Sequence, residues 1–218
     1  MMEFVSRSQE YVPFLARGLG LTILVTLLSL CLATALGLVL ALLRTSGIRS
    51  LSVPARVFVE FVRGIPILVI LFYIYFVAPD IGIDLTAFQA GVIGLALTHA
   101  CYLGETFRSG IEAVERGQIE AAKSIGMRRP MMMWRVVLPQ AFRIIVPPYA
   151  NNVVVLLKDS SLVSVISVAD LTMQGKMLAY STFDNMTVFT LVALLYLCLT
   201  IPLNLVMHQV EASLGTSR

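Results

Sequence analysis

Long apolar runs separated by short polar stretches dominate this chain, and their lengths set the reading. Residues 18–43 carry no charge between Arg17 and Arg44, more than the ~20 residues needed to cross a hydrocarbon core about 30 Å thick. The run is too long, and starts too far along, for a cleavable signal peptide; it predicts a tilted span. A second span is predicted over about 57–78, with Glu60 and Arg63 in its first turns and an uncharged stretch opening at Gly64-Ile65-Pro66. A third covers 85–104 and contains His99. The fourth, about 144–165, is interrupted by Pro147-Pro148, Asn151-Asn152 and Lys158-Asp159 and reads as one span broken by polar residues. The fifth, 186–207, holds Pro202 and Asn204, which a bundled helix tolerates because neighbours satisfy the freed backbone groups. Five spans predict termini on opposite sides of the membrane.

Composition supports the same picture. Of 218 residues, 58 % are hydrophobic and 13 % charged, about half the charged share of a soluble domain. The expectation is an all-α, polytopic membrane protein. Charge then orients it. Residues 44–63, 105–143 and 208–218 hold 12 of the 16 lysines and arginines and carry a net +6, whereas the opposite side carries −3. The excess of Lys and Arg predicts that the first side is cytoplasmic, with the N-terminus outside and the C-terminus inside. The longest hydrophilic segment, about 105–143, is too short for an independent enzyme domain, so residues 1–218 read as a single membrane domain. Cys31, Cys101 and Cys198 lie in apolar runs without metal-like spacing and read as packing residues.

Within the basic segment 108–143, the stretch from Glu115 to Gly126 reads as a short helix with small residues in mid-course and a glycine stop. One reading is a surface helix held on anionic lipid; the other is a docking knob, because Ala121-Ala122 lets another surface approach the backbone. Glu120-Ala121-Ala122, then three residues to Gly126, then nine to Val136-Val137-Leu138-Pro139 resembles the EAA signature of importer permeases of the ATP-binding-cassette class. Val59-Glu60-Phe61-Val62-Arg63-Gly64-Ile65-Pro66 and Leu156-Leu157-Lys158-Asp159-Ser160-Ser161-Leu162 are similar to stretches of the polar amino-acid permeases, the subfamily that carries histidine, glutamine, arginine, glutamate or cystine.

That resemblance implies a type I importer permease with five spans, lodged in a bacterial inner (cytoplasmic) membrane as a homodimer or beside a second similar permease. It further implies two copies of a cytoplasmic ATPase that bind ATP and magnesium, and an external binding protein that delivers the solute. ATPase coupling is carried over to Glu120, Ala121, Ala122 and Gly126. This chain itself would hold no cofactor and catalyse nothing, and it lacks the G-x-x-x-x-G-K-[ST] pattern of a P-loop.

Polar groups at membrane depth are costly and commonly face a bundle interior or an aqueous path. Asn151, Asn152 and Asp159 are therefore candidates for the solute path, against the alternative of interhelical hydrogen bonding at a dimer seam. Relatives of this type often carry Gly-Asn-Glu where this chain has Ala150-Asn151-Asn152; a neutral amide in place of the acid points to a neutral or zwitterionic solute. Glu60 with Arg63, and Glu105 with Arg108, are spaced to form ion pairs on one helix face. His99 reads as a hydrogen-bonded bundle histidine, with Glu105 as its one evident carboxylate neighbour, and no metal site is expected. Residues 168–184 read as an outer helix or loop facing the binding protein. An intramembrane enzyme would need a convergent catalytic set, which the sequence does not display. An ion-coupled secondary transporter remains the alternative, and it would call for inverted repeats and mid-membrane carboxylates.

Overall fold

The computed structural model describes residues 2–213, and every regular element among them is helical. Residue 1 and residues 214–218, which belong to the expected outer terminus and cytoplasmic tail, lie outside the described residues. Helix α1 (Met2–Thr45) has 44 residues and is about 66 Å long at 1.5 Å per residue. It is followed by α2 (Arg49–Arg63), α3 (Ile67–Phe72), α4 (Ala87–Glu112), α5 (Arg116–Ser124), α6 (Arg129–Met132), α7 (Leu138–Asp159), α8 (Leu171–Thr182) and α9 (Asn185–Ser213). Helices α1, α4 and α9 are long and apolar enough to cross a membrane, and two bent helix pairs bring the number of candidate spans to as many as five.

The region of the predicted second span is not one rod. Helix α2 ends at Arg63 and the chain turns by 100° before Ile67–Ile81. Pro66 has no N–H to donate, and the ring disfavours helical geometry at Ile65, so the helix stops where the sequence reading ran straight on. Helix α2 is amphipathic, burying Ala55, Val59 and Val62 at spacings of four and three that lie on one face.

The predicted fourth span differs too. Helix α7 runs unbroken through Pro147-Pro148 and Asn151-Asn152, and the break falls beyond Asp159, where Ser160–Ile166 tightens into a 3-10 turn. A bend of 50° then leads into α8. The prolines remove two donors from the ladder, but Asn152 stays within the helix and donates its side-chain amide to the Pro148 carbonyl at 3.3 Å.

Helices α1 and α4 form the centre of the bundle. They cross where Gly37 meets Gly104: a Cβ at Gly37 would lie 3.0 Å from the Ala100 carbonyl oxygen. Small residues at such crossings permit the close van der Waals packing that drives helix association in lipid. Thr86 and Gln89 start α4 with a reciprocal capping box, which satisfies two otherwise orphaned N–H groups. Leu24, Leu28, Leu32 and Leu36 of α1 and Ile201 and Leu205 of α9 remain exposed, an apolar exterior suited to acyl chains.

Helix α8 is seated on α1 by its backbone. A Cβ at Gly18 would lie 2.6 Å from the Leu171 nitrogen and 2.7 Å from the Asp170 carbonyl carbon and oxygen. The Leu171 N–H donates to the Thr22 hydroxyl at 3.0 Å, and buried Asp170 caps α8 by accepting from the Thr172 and Met173 N–H groups. At the far end of α8, Arg7 of α1 pairs with Asp184 at 2.6 Å, and Asp184 also accepts from the Thr187 N–H. The hydrogen bond from the Arg7 guanidinium holds the Asp184 carboxyl below the usual carboxylate range. A depressed carboxyl stabilises the fold above the ordinary value of ~3.9 and loses that contribution as pH falls through the folded value. Asp184→Asn is therefore expected to lower the thermal midpoint of the detergent-solubilised protein at neutral pH. The gap from wild type should close as the pH drops below about 4.

Candidate functional site

Two features carry the functional geometry. The first is α5. It ends in Gly126 at φ +78°, where the Gly126 N–H reaches the Lys123 carbonyl at 2.9 Å and the Met127 N–H reaches the Ala122 carbonyl at 3.1 Å. That pair of bonds is a Schellman cap, and only glycine takes this left-handed geometry without a steric penalty. The glycine stop read from the sequence is thus a real cap.

The four residues of the signature divide between two faces. Glu120, Ala121 and Gly126 are exposed. Ala122 is buried at 4 % exposure among Val114, Met132, Val137 and Ala141, so one of the two adjacent alanines secures the helix to its own chain rather than lying open to a partner. Next to them Ile125 is 76 % exposed, and Trp134, on the π-helical stretch Met133–Val137, is 74 % exposed. The sequence reading passed over both. Their signal was available: a large apolar residue in a basic, polar segment.

The second feature is a polar cleft between α4 and α7. A cavity of about 280 Å³ is lined by Ile67, His99, Tyr102, Asn151, Asn152, Val155 and Asp159. A neighbouring groove of about 410 Å³ shares Tyr102 and Asn152 and adds Arg63, Glu105, Thr106 and Ser109. The three path candidates therefore come together on one wall. The opposite wall is a stripe of α4: His99, Tyr102, Thr106 and Ser109 recur every three or four residues, the spacing of one helix face. That stripe was legible in the sequence but was not singled out.

His99 departs from expectation. Its neighbour is Asp159 rather than Glu105: Nε2 lies 3.2 Å from Asp159 Oδ2. The approach lacks hydrogen-bond geometry, and both buried ring nitrogens are without a hydrogen-bond partner among the described residues. Glu105 instead joins a chain of ion pairs that runs from Arg44 through Glu105 and Arg108 to Glu112. The expected Glu105–Arg108 pair is present in that chain. The expected Glu60–Arg63 pair is absent among the described residues; the Arg63 guanidinium sits over the Tyr102 ring, 5.0 Å from its centroid, a cation–π contact. Of the cysteines, Cys101 is buried, whereas Cys31 and Cys198 are exposed. Among the described residues no three His, Cys, Asp or Glu side chains are grouped to hold a metal.

Comparison with known proteins places this geometry in context. Residues 33–215 match the model of the family described as binding-protein-dependent transport system inner membrane component. The probable amino-acid ABC transporter permease protein YckA of Bacillus subtilis is 42 % identical over 86 % of this chain and 83 % of its own length. The probable glutamine ABC transporter permease protein GlnM of the same organism is 37 % identical over 90 % of this chain and 91 % of its own. A crystal structure of an amino acid ABC transporter with histidines superposes with a TM-score of 0.91 at 36 % identity, covering 96 % of this chain and 98 % of that one. An inward-facing MetNI methionine ABC transporter, with a TM-score of 0.77 at 21 % identity, shares the fold. The chain belongs to the family of binding-protein-dependent transport system inner membrane components.

Proposed function

We propose that this chain is the permease subunit of an ATP-binding-cassette importer, carrying a polar amino acid or a closely related zwitterionic solute inward across the inner membrane. The observation that carries the reading is similarity to amino-acid permeases over nearly the whole chain, joined to a capped helix whose exposed face bears Glu120, Ala121 and Gly126. The bent pairs α2–α3 and α7–α8 each count as one span in this reading, giving five. The charge difference between the two ends supports an outer N-terminus and a cytoplasmic C-terminus. Arg44, Glu105, Arg108 and Glu112 cluster on the side of the basic 105–143 segment, and Arg7 with Asp184 lies at the opposite end of α1. ATP and magnesium belong to the partner ATPase, which docks on α5. A second permease, identical or similar, closes the cleft across from α4 and α7, and a solute-binding protein meets the outer end near α8.

Mild-detergent purification of the tagged chain from its host tests the class. Recovery of a P-loop ATPase supports the importer; a chain that comes down alone, under conditions that preserve known complexes, overturns it and favours an ion-coupled carrier. The path is tested by Asn152→Ala. Loss of an amide contact to solute of about 1–1.5 kcal/mol corresponds to a KM raised roughly tenfold, measured by uptake of labelled amino acids into vesicles. Unchanged uptake across those solutes would leave Asn152 a packing residue.

A further inference from the structure

We propose that α2 lies along the membrane surface as an amphipathic helix and binds anionic phospholipid there, its apolar edge among acyl chains and its Arg49 and Arg56 on headgroup phosphates. This rests on the chain's place in a membrane and on no assumption about the solute carried or the ATPase that drives it.

The residues of α2 sort into three stripes. Ala55, Val59 and Val62 are buried, the two valines against Leu40 of α1 and Cys101 of α4. Leu51, Pro54, Phe58 and Phe61, spaced by three, four and three, are exposed and apolar. Arg49, Arg56, Glu60 and Arg63, spaced by seven, four and three, are exposed and charged. At 3.6 residues per turn the apolar and charged stripes fall on opposite sides of the helix, with the buried stripe between them. A helix divided in this way rests sideways on the bundle with one edge toward hydrocarbon and the other toward water, as interfacial helices do.

The depth of α2 agrees. Its 15 residues extend about 22 Å. It starts after a three-residue connection from the end of α1 at Thr45, beside Arg44, which pairs with Glu105 of α4. At its other end the Arg63 guanidinium lies over the Tyr102 ring, and Tyr102 is three residues, about 4.5 Å, along α4 from Glu105. Both ends therefore stay near the level of Arg44 and Glu105, where the runs of α1 and α4 that lack Lys, Arg, Asp and Glu stop. That level is the edge of the hydrocarbon core, cytoplasmic in the orientation proposed above. Beyond it the chain turns by 100° into Ile67–Ile81.

Charge identifies what covers the exposed edge. Arg44, Glu105, Arg108 and Glu112 pair with one another, and Arg63 is engaged by Tyr102. Arg49 and Arg56 have no ion-pair partner among the described residues, and Glu60 leaves the stripe net positive. Phosphate matches guanidinium groups at headgroup depth, because it accepts their paired N–H donors, and basic residues at this depth draw anionic lipid. A second copy of this chain meeting the same face in two-fold symmetry would oppose two net-positive stripes.

Trp134 is the one tryptophan of the chain, so Trp134→Phe combined with Phe58→Trp places a single fluorophore on the apolar edge of α2. The full-length chain is reconstituted into vesicles of phosphatidylcholine and phosphatidylglycerol, with bromine on the acyl chains of one lipid at a time to quench it. Both lipids should quench, phosphatidylglycerol with about tenfold higher relative affinity. Adding Arg49→Gln and Arg56→Gln should bring that preference within about twofold while acyl-chain quenching persists, and Glu60→Gln should strengthen it. Absence of quenching by either lipid sets the edge against protein and overturns the proposal, as does equal affinity for the two lipids with both arginines in place. Should Phe58→Trp fail to fold, native mass spectrometry of the otherwise unaltered chain decides. Phosphatidylglycerol retained over phosphatidylcholine, and released in the double arginine variant, supports the proposal; equal retention of the two lipids overturns it.

Discussion

Glu120→Lys is expected to abolish transport while leaving the membrane fold intact. Glu120 is exposed on α5 and has no side-chain ion pair among the described residues, so reversing its charge removes nothing that holds this chain together. A helix seated in a partner's groove is different: unpairing one member of a buried, hydrogen-bonded charge pair costs on the order of 2–5 kcal/mol, a fall of at least about thirtyfold in ATPase affinity. The check has two parts. Tagged Glu120→Lys should insert and elute from a sizing column as wild type does, yet recover little ATPase and support little uptake. Normal uptake would remove Glu120 from the coupling face, and an aggregated variant would show a structural role that its exposure does not suggest.

The second large effect concerns Gly18. Gly18→Val is expected to release α8 from α1 and leave little folded protein. The atoms in the way are backbone, 2.6 to 2.7 Å from a new Cβ, and backbone cannot rotate aside as a side chain can. Overpacking of this kind costs about 1–3 kcal/mol or more, and here the same displacement breaks the Thr22 bond to Leu171 and the seating of Asp170. Gly20, two residues further along α1, has open space around it, so Gly20→Val is the matched control. Expression level and thermal midpoint in detergent should fall for Gly18→Val and stay close to wild type for Gly20→Val.

The contrast between those two glycines marks what a linear sequence can disclose. Both lie in one apolar run, and nothing local distinguishes them; the distinction arises because residue 171 crosses residue 18. His99 illustrates the same limit, since its carboxylate neighbour lies 60 positions away and only the packing of α4 on α7 brings them together. Local chemistry was read more successfully. Gly126 ends α5 because a left-handed cap favours glycine, and the uncharged runs mark α1, α4 and α9 because hydrocarbon excludes charge. Proline gave mixed guidance: Pro66 ends a helix, whereas Pro147 and Pro148 sit inside one. Helix α7 absorbs two lost donors within a packed bundle, and a residue list does not reveal how well its surroundings tolerate them.

Ala122 gives α5 a mechanical property. Were both alanines turned outward, the short helix would hang from flexible joints, and a push on it would be taken up as local swivelling. With Ala122 packed against Val137 and Ala141 at the root of α7, and Gly110 of α4 close against Ile145 of the same helix, α5 is joined to the bundle through side-chain packing as well as through its flanking loops. In the importer proposed above, a stroke delivered at Glu120 would pass through the Ala122 contact into α7, the helix that carries the asparagines of the cleft.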